Sequence, residues 1–167
     1  MAAYAEIRSS DNVVLRVVVV NDSDVTANGG AYSAGAEAWV ASNIVNDPII
    51  LEDNGGSYPE TYWKETSVTA EARYNYAGPG STWDEANQAF ISPQPFPSFT
   101  LDSNFVWTPP VAEPTTEQID GINIMLSWNE ADQKWFGYKS DASGNKYEWN
   151  PGTSNWDDTG ESTVLTS

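Results

Sequence analysis

Cysteine and histidine are both missing from this 167-residue chain. Their absence removes thiol nucleophiles, disulfides, thiolate or imidazole zinc sites, Ser-His-Asp triads and histidine proton relays together. What remains is carboxylate chemistry, a metal held by oxygen ligands, or no chemistry. Basic residues are scarce: seven Lys plus Arg stand against 24 Asp plus Glu, a formal charge of −17. Such a surface repels nucleic-acid phosphates and anionic membranes, so neither is an expected partner, and the acidity reads as a solubility device suited to salty surroundings. Long hydrophobic runs are missing too. No stretch reaches the roughly 18 apolar residues of a membrane helix. The start Met1-Ala2-Ala3-Tyr4-Ala5-Glu6 lacks the basic and apolar regions of a signal peptide, which predicts a protein assembled without a secretory address.

Candidate chemistry is equally thin. No serine is expected to act as a nucleophile, for want of an elbow context or of a lysine three residues on. With 24 acids some carboxylate pair always falls at a glycosidase spacing, so the count carries no weight. Gly78-Pro79-Gly80 has no following lysine to cradle phosphate and reads as a turn. Asn21-Asp22-Ser23-Asp24 and Asp157-Asp158 lack the glycine and terminal glutamate of a calcium loop and read as strand and turn ends. The expectation is a protein without catalytic residues, metal or cofactor.

Aromatic side chains are abundant: 13% of the chain, with eight tryptophans. A chain this aromatic folds rather than staying disordered. Ala3–Arg8 and Val13–Val20 read as a hairpin, and the valine run marks the second strand as central and covered on both faces. Residues 31–44 have the composition of a short helix with Trp39, Val40 and Ile44 on one face. Pro48-Ile49-Ile50-Leu51 reads as a short strand, and residues 52–57 as a loop.

From Tyr58 onward one pattern repeats. Trp83-Asp84 is closed by Phe90, Trp128-Asn129 by Trp135, and Trp149-Asn150 by Trp156. Each is an aromatic, an Asp or Asn, five residues, and an aromatic. Leu101-Asp102 to Trp107 is one residue shorter. Six residues between two aromatics allow the chain to fold back and set the rings opposite each other on one face of an antiparallel pair. The Asp or Asn suits the turn entrance, where it bonds backbone amides. Ser92–Ser98 and Thr108-Pro109-Pro110 are proline-rich connectors, the first laying Phe96 and Phe99 onto the protein's own body or a neighbour. The fold class is therefore mainly β: antiparallel hairpins in a small sandwich or meander, with one short helix and proline-rich connectors. A main body over 1–110 precedes a Trp-hairpin extension over 111–167.

Trp63-Lys64-Glu65-Thr66-Ser67, Arg73-Tyr74-Asn75-Tyr76-Ala77-Gly78-Pro79-Gly80, Trp83-Asp84, Phe90-Ile91 and Pro93-Gln94-Pro95-Phe96-Pro97-Ser98-Phe99 stand in an order that resembles a family of small virion-associated proteins of marine tailed bacteriophages of the cyanophage type. The opening Tyr4-Ala5-Glu6 and Asn12-Val13-Val14 also look like that family, and the resemblance runs in blocks over roughly residues 1–135. It implies a virion structural component with no catalytic constellation to carry over. Two functions follow as expectations. The first is a capsid decoration or cement protein on the shell surface, contacting the major capsid protein and other virion proteins, with a homo-oligomer, a trimer above all, suiting the lattice. The alternative is a tail or receptor-binding accessory protein contacting host surface glycans. The candidate contact residues are the hairpin aromatics Trp83, Phe90, Phe96, Trp107, Trp128, Trp135, Trp149 and Trp156. Their regular spacing assigns them to core before ligand platform.

Overall fold

A computed structural model describes residues 1–67, 69 and 72–162; the last five residues of the expected C-terminal extension lie outside them. The chain is mainly β, 38% strand and 14% helix, in antiparallel sheets. It divides into two units, Met1–Pro93 with Leu101–Val106, and Gln94–Thr100 with Trp107–Ser167.

In the first unit, β1 (Ala2–Arg8) and β2 (Val14–Val20) form the expected hairpin, and β3 (Thr61–Thr66) pairs on the other side of β1. The order is β2-β1-β3. The valine run is thus an edge strand, not the centre: Ala3 to Ile7 of β1 are all buried, whereas Val19 of β2 is 58% exposed. Valine density reports β propensity, which the branched side chain sets locally, while cover on both faces depends on which strand receives two neighbours. A register shift between Glu6 and Ile7 skips Leu15 opposite β1 and gives the hairpin a bulge.

Three short helices follow β2 where one was expected. α1 (Asp22–Ala27) starts directly at the strand end. α2 (Ala34–Asn43) is the expected helix; the Ser33 hydroxyl accepts from Ala36 N, and Ala36 and Val40 are buried. α3 (Pro48–Asp53) replaces the expected strand at 48–51. Asp47 accepts from Ile49 N and Pro48 occupies the first turn, where its missing N–H costs nothing. That local start signal outweighs the β preference of two isoleucines.

The sheet is covered on both faces. Tyr4, Val20, Val25, Ala36, Val40 and Trp63 form a core with the helices, joined by Trp39 and Ile44. Ala5, Ile7, Val14, Ala77, Trp83 and Phe90 form the other, beneath the hairpin of β4 (Thr82–Asp84) and β5 (Ala89–Ile91). The alternation along β1, Tyr4 to one side and Ala5 and Ile7 to the other, is the two-residue strand period. β6 (Thr100–Leu101) and β7 (Trp107–Thr108) make a two-stranded pair.

The second unit is a meander of β8 (Gln118–Ile119), β9 (Ile122–Asn129), β10 (Lys134–Lys139), β11 (Asn145–Asn150) and β12 (Asn155–Ser162), each beside the next. Asp120 and Gly121 join β8 to β9 with φ of 51° and 77°. Two consecutive positive φ values make the tight mirror-image turn that suits the strand twist, and Asp-Gly is its sequence signal.

Candidate functional site

The three full repeats become three hairpins of one construction. Trp83 faces Phe90, Trp128 faces Trp135 and Trp149 faces Trp156 in the strand registers. Ring centroids lie 4.7, 5.1 and 5.2 Å apart with tilted or edge-on planes, the arrangement that sets a positive ring edge against a negative face. The residue after each first aromatic pairs with the one before the second, leaving a four-residue loop whose last member, Gln88, Gln133 or Ser154, has φ near 50°. Asp84 accepts from Asn87 N, Asn129 from Asp132 N, and Asn150 from Gly152 N and Thr153 N. The Asp or Asn thus closes each loop from its entrance.

The first two hairpins share a further contact. The indole N–H of Trp83 donates to Glu85 at 2.6 Å, and that of Trp128 to Glu130 at 2.8 Å. These bonds, first among the causes, hold both carboxyls below their ordinary range; Lys64 adds its charge at Glu85, and Ser98 donates to Glu130. The third hairpin has Pro151 where the others have glutamate.

Trp83, Phe90, Trp128, Trp149 and Trp156 are buried, and Phe96, Trp107 and Trp135 half-buried. Phe96 stacks 5.3 Å from Phe99, which meets Trp128 edge-on at 5.5 Å. Glu130 accepts both Ser98 N and Ser98 Oγ at 2.8 Å. The proline connector is therefore laid on the second hairpin of its own unit. The shorter repeat closes differently: Asp102 Oδ1 accepts from Asn104 N and Val106 N, and Leu101 stays 36% exposed.

A strap over 111–116 ties down the second indole of the second and third hairpins. Trp135 Nε1 donates to Val111 O at 2.9 Å and Trp156 Nε1 to Thr116 O at 3.0 Å. Tyr147, Trp149 and Trp156 form a core joined by Val111, Ile119, Ile124 and Trp135. Gly137 lies under it, and a Cβ there would stand 2.7 Å from Ile124 Cγ2 and 3.0 Å from two atoms of the Trp156 ring.

Between the second and third hairpins the sheet opens. β10 and β11 keep only Phe136 opposite Glu148 and Gly137 opposite Tyr147. Beyond them lies a cleft of about 370 Å³, lined by Val111, Trp135, Trp149, Pro151 and the polar side chains of Asp132, Gln133, Lys134, Glu148, Asn150 and Asp157. Lys134 Nζ donates to Glu148 at 2.5 Å, which raises the lysine pKa, and Asn150 Nδ2 donates to Asp157 at 3.0 Å.

A cationic cluster in the first unit was not foreseen. Arg73 lies 5.1 Å over the Trp83 ring and 5.2 Å over Tyr32, bonds Glu37 at 3.0 Å and donates to Glu65 O. Lys64 adds a 5.7 Å contact with Trp83 and a 3.4 Å pair with Glu37. Arg73 and Tyr74 both have positive φ, 60° and 63°, a strained pair whose Arg73 carbonyl accepts from Phe90 N. The only sequence signal was that two of the few cations fall among aromatics.

Ser143-Gly144-Asn145-Lys146 does place a lysine three residues after a serine, which corrects the expectation that none does. Lys146 Nζ lies 4.0 Å over the Phe136 ring and pairs with Glu161. Asp157 and Asp158 accept from Asn150 and Asn145 across the β11–β12 pair. Among the described residues no three potential acidic ligands gather into a metal site, and no helix is long and apolar enough to cross a membrane. No family model, curated protein or solved structure matches this chain.

Proposed function

We propose that the chain is a structural protein of a tailed-phage virion, a capsid decoration or cement protein held on the shell surface by contacts to the major capsid protein. The observation that carries the reading is the ordered set of sequence blocks between Trp63 and Phe99 that resembles small virion proteins of marine phages. Four residues of those blocks are core residues: Trp63 lies in one core of the first unit, and Ala77, Trp83 and Phe90 in the other. Arg73 and Asn75 hold the hairpin, with Asn75 donating to Phe90 O and Phe105 O. The resemblance therefore concerns a whole framework rather than a shared active site.

The construction supports the role in physical terms. Short hairpins with paired rings present fixed loop tips, and a fixed tip loses little side-chain or loop entropy on docking. The charge of −17 keeps the outward face solvated. Binding only to the assembled shell stabilises that state by mass action, and a trimer suits a threefold lattice position.

Immunogold electron microscopy of purified particles, with an antibody raised against this chain, tests the reading. Gold spread over the heads is the expected result. Gold confined to tails would replace the decoration role with a receptor-binding accessory role, and unlabelled particles would overturn the virion assignment.

A further inference from the structure

We propose that the cleft where β10 and β11 part is a binding site for an uncharged saccharide. It goes beyond the virion role and holds for a protein on the head or on the tail.

The cleft exists because the ladder stops. Trp135 and Trp149 would be the next opposed pair after Phe136–Glu148, yet the register ends there, and the two hairpin loops diverge. A void of about 370 Å³ falls at the small end of the usual range for ligand clefts, about 300–1,000 Å³, and suits one or two sugar rings. Its indole walls are already immobile. Trp135 is pinned by its bond to Val111 O and by Trp128, and Trp149 by Trp156 and burial in the strap core. A ligand stacking on Trp135 therefore orders no new rotamer, a cost that otherwise reduces affinity.

The polar lining fixes the ligand class. Lys134, Gln133 and Asn150 carry donors, and Asp132, Glu148 and Asp157 carry acceptors. Among the described residues one side-chain donor meets one oxygen of each carboxylate, Asn129 at Asp132, Lys134 at Glu148 and Asn150 at Asp157. Hydroxyls, which donate and accept, match this mixture. Three carboxylates against one ammonium repel phosphates, sulfates and acidic sugars. The lone ammonium is held in a pair with Glu148 at the cleft wall, and a fully apolar ligand would strand that pair without water. An aromatic face beside alternating donors and acceptors is the surface a pyranose presents in mirror image, with C–H groups on one side and hydroxyls at the rim.

The test is titration of the purified full chain with methyl glucoside, galactoside and mannoside and their neutral di- and trisaccharides. Saturation-transfer NMR and indole fluorescence report binding. At least one sugar is expected to bind with C–H signals saturated from the protein. Glu148→Gln and Gln133→Ala, which leave the core untouched, are expected to weaken it by about tenfold each. Trp135→Ala should abolish it, and a far-UV spectrum identifies loss through misfolding. No binding by any sugar in the panel at millimolar concentration overturns the proposal. So does binding that both Glu148→Gln and Gln133→Ala leave unchanged, since the sugar would then sit elsewhere.

Discussion

Glu6 shows how one buried charge is made tolerable. It is 2% exposed in the middle of β1, and its two oxygens accept from Arg16 Nε at 2.6 Å, Tyr58 OH at 3.0 Å and Thr61 Oγ1 at 2.9 Å. A carboxylate so placed is held because every neighbour is a donor. Glu6→Ala leaves Arg16 with Asp47 at 3.6 Å and Val45 O but takes the acceptor from Tyr58 OH and Thr61 Oγ1, and urea denaturation should show a loss of about 1–3 kcal/mol. Gly137 is the steric counterpart: Gly137→Ala drives a methyl into Ile124 and the Trp156 ring, and the same measurement should show a cost of about 1–3 kcal/mol. Trp135→Ala removes a ring held by Trp128 and Val111 and should cost about 3 kcal/mol. A change within experimental error would make Trp135 a contact element instead of a packing one.

Each tryptophan hairpin works as an element because three local devices agree: the ring pair, the Asx closure of the loop, and a positive-φ residue before the second strand. In the first two a glutamate adds an indole bond, and its lowered pKa carries a sign. Glu130 is held low by Trp128 and then Ser98, so its contribution is present above the ordinary carboxylate value and is lost as pH falls through the folded value. Glu130→Gln should lower the thermal midpoint at neutral pH, while in acid, where the wild-type carboxyl is protonated, the two midpoints should converge. A difference that persists in acid would assign the effect to packing. The Trp-Asp/Asn to aromatic spacing made all three registers legible from the sequence. The shorter repeat at Leu101 to Trp107 was over-read, because Asp102 bonds inside its own turn and Leu101 stays outside.

For the molecule as a whole, three tyrosines bias stability against alkali. Burial, with the Glu85 charge adding to it, pushes Tyr62 up to about 12 from 10.0. Burial also raises Tyr4, helped by its bond to Glu65, and raises Tyr58. A phenol kept neutral in the fold contributes stability that is intact below the unfolded value of 10.0 and lost as pH climbs toward the folded one. The free energy of unfolding should therefore decline from about pH 10 upward, with phenolate absorbance rising in step with unfolding. Tyr62→Phe should flatten the decline. An unchanged slope would place the alkaline sensitivity with the other two.

The sequence by itself determined what is local. Its missing cysteines and histidines bounded the chemistry, its aromatic spacing set three hairpin registers, and its turn residues set their loops, because such features depend on contacts within about ten residues. Only the tertiary structure decided which strand is central. The valines of β2 and the alanines of β1 carry no label for how many neighbours each receives, and β3 arrives from more than fifty residues away. Asp47 and Pro48 were legible as a helix start, and the isoleucines masked them. The cleft was invisible in the sequence, since Lys134, Trp135, Glu148 and Asn150 become its walls only where the β10–β11 ladder stops and two hairpins part.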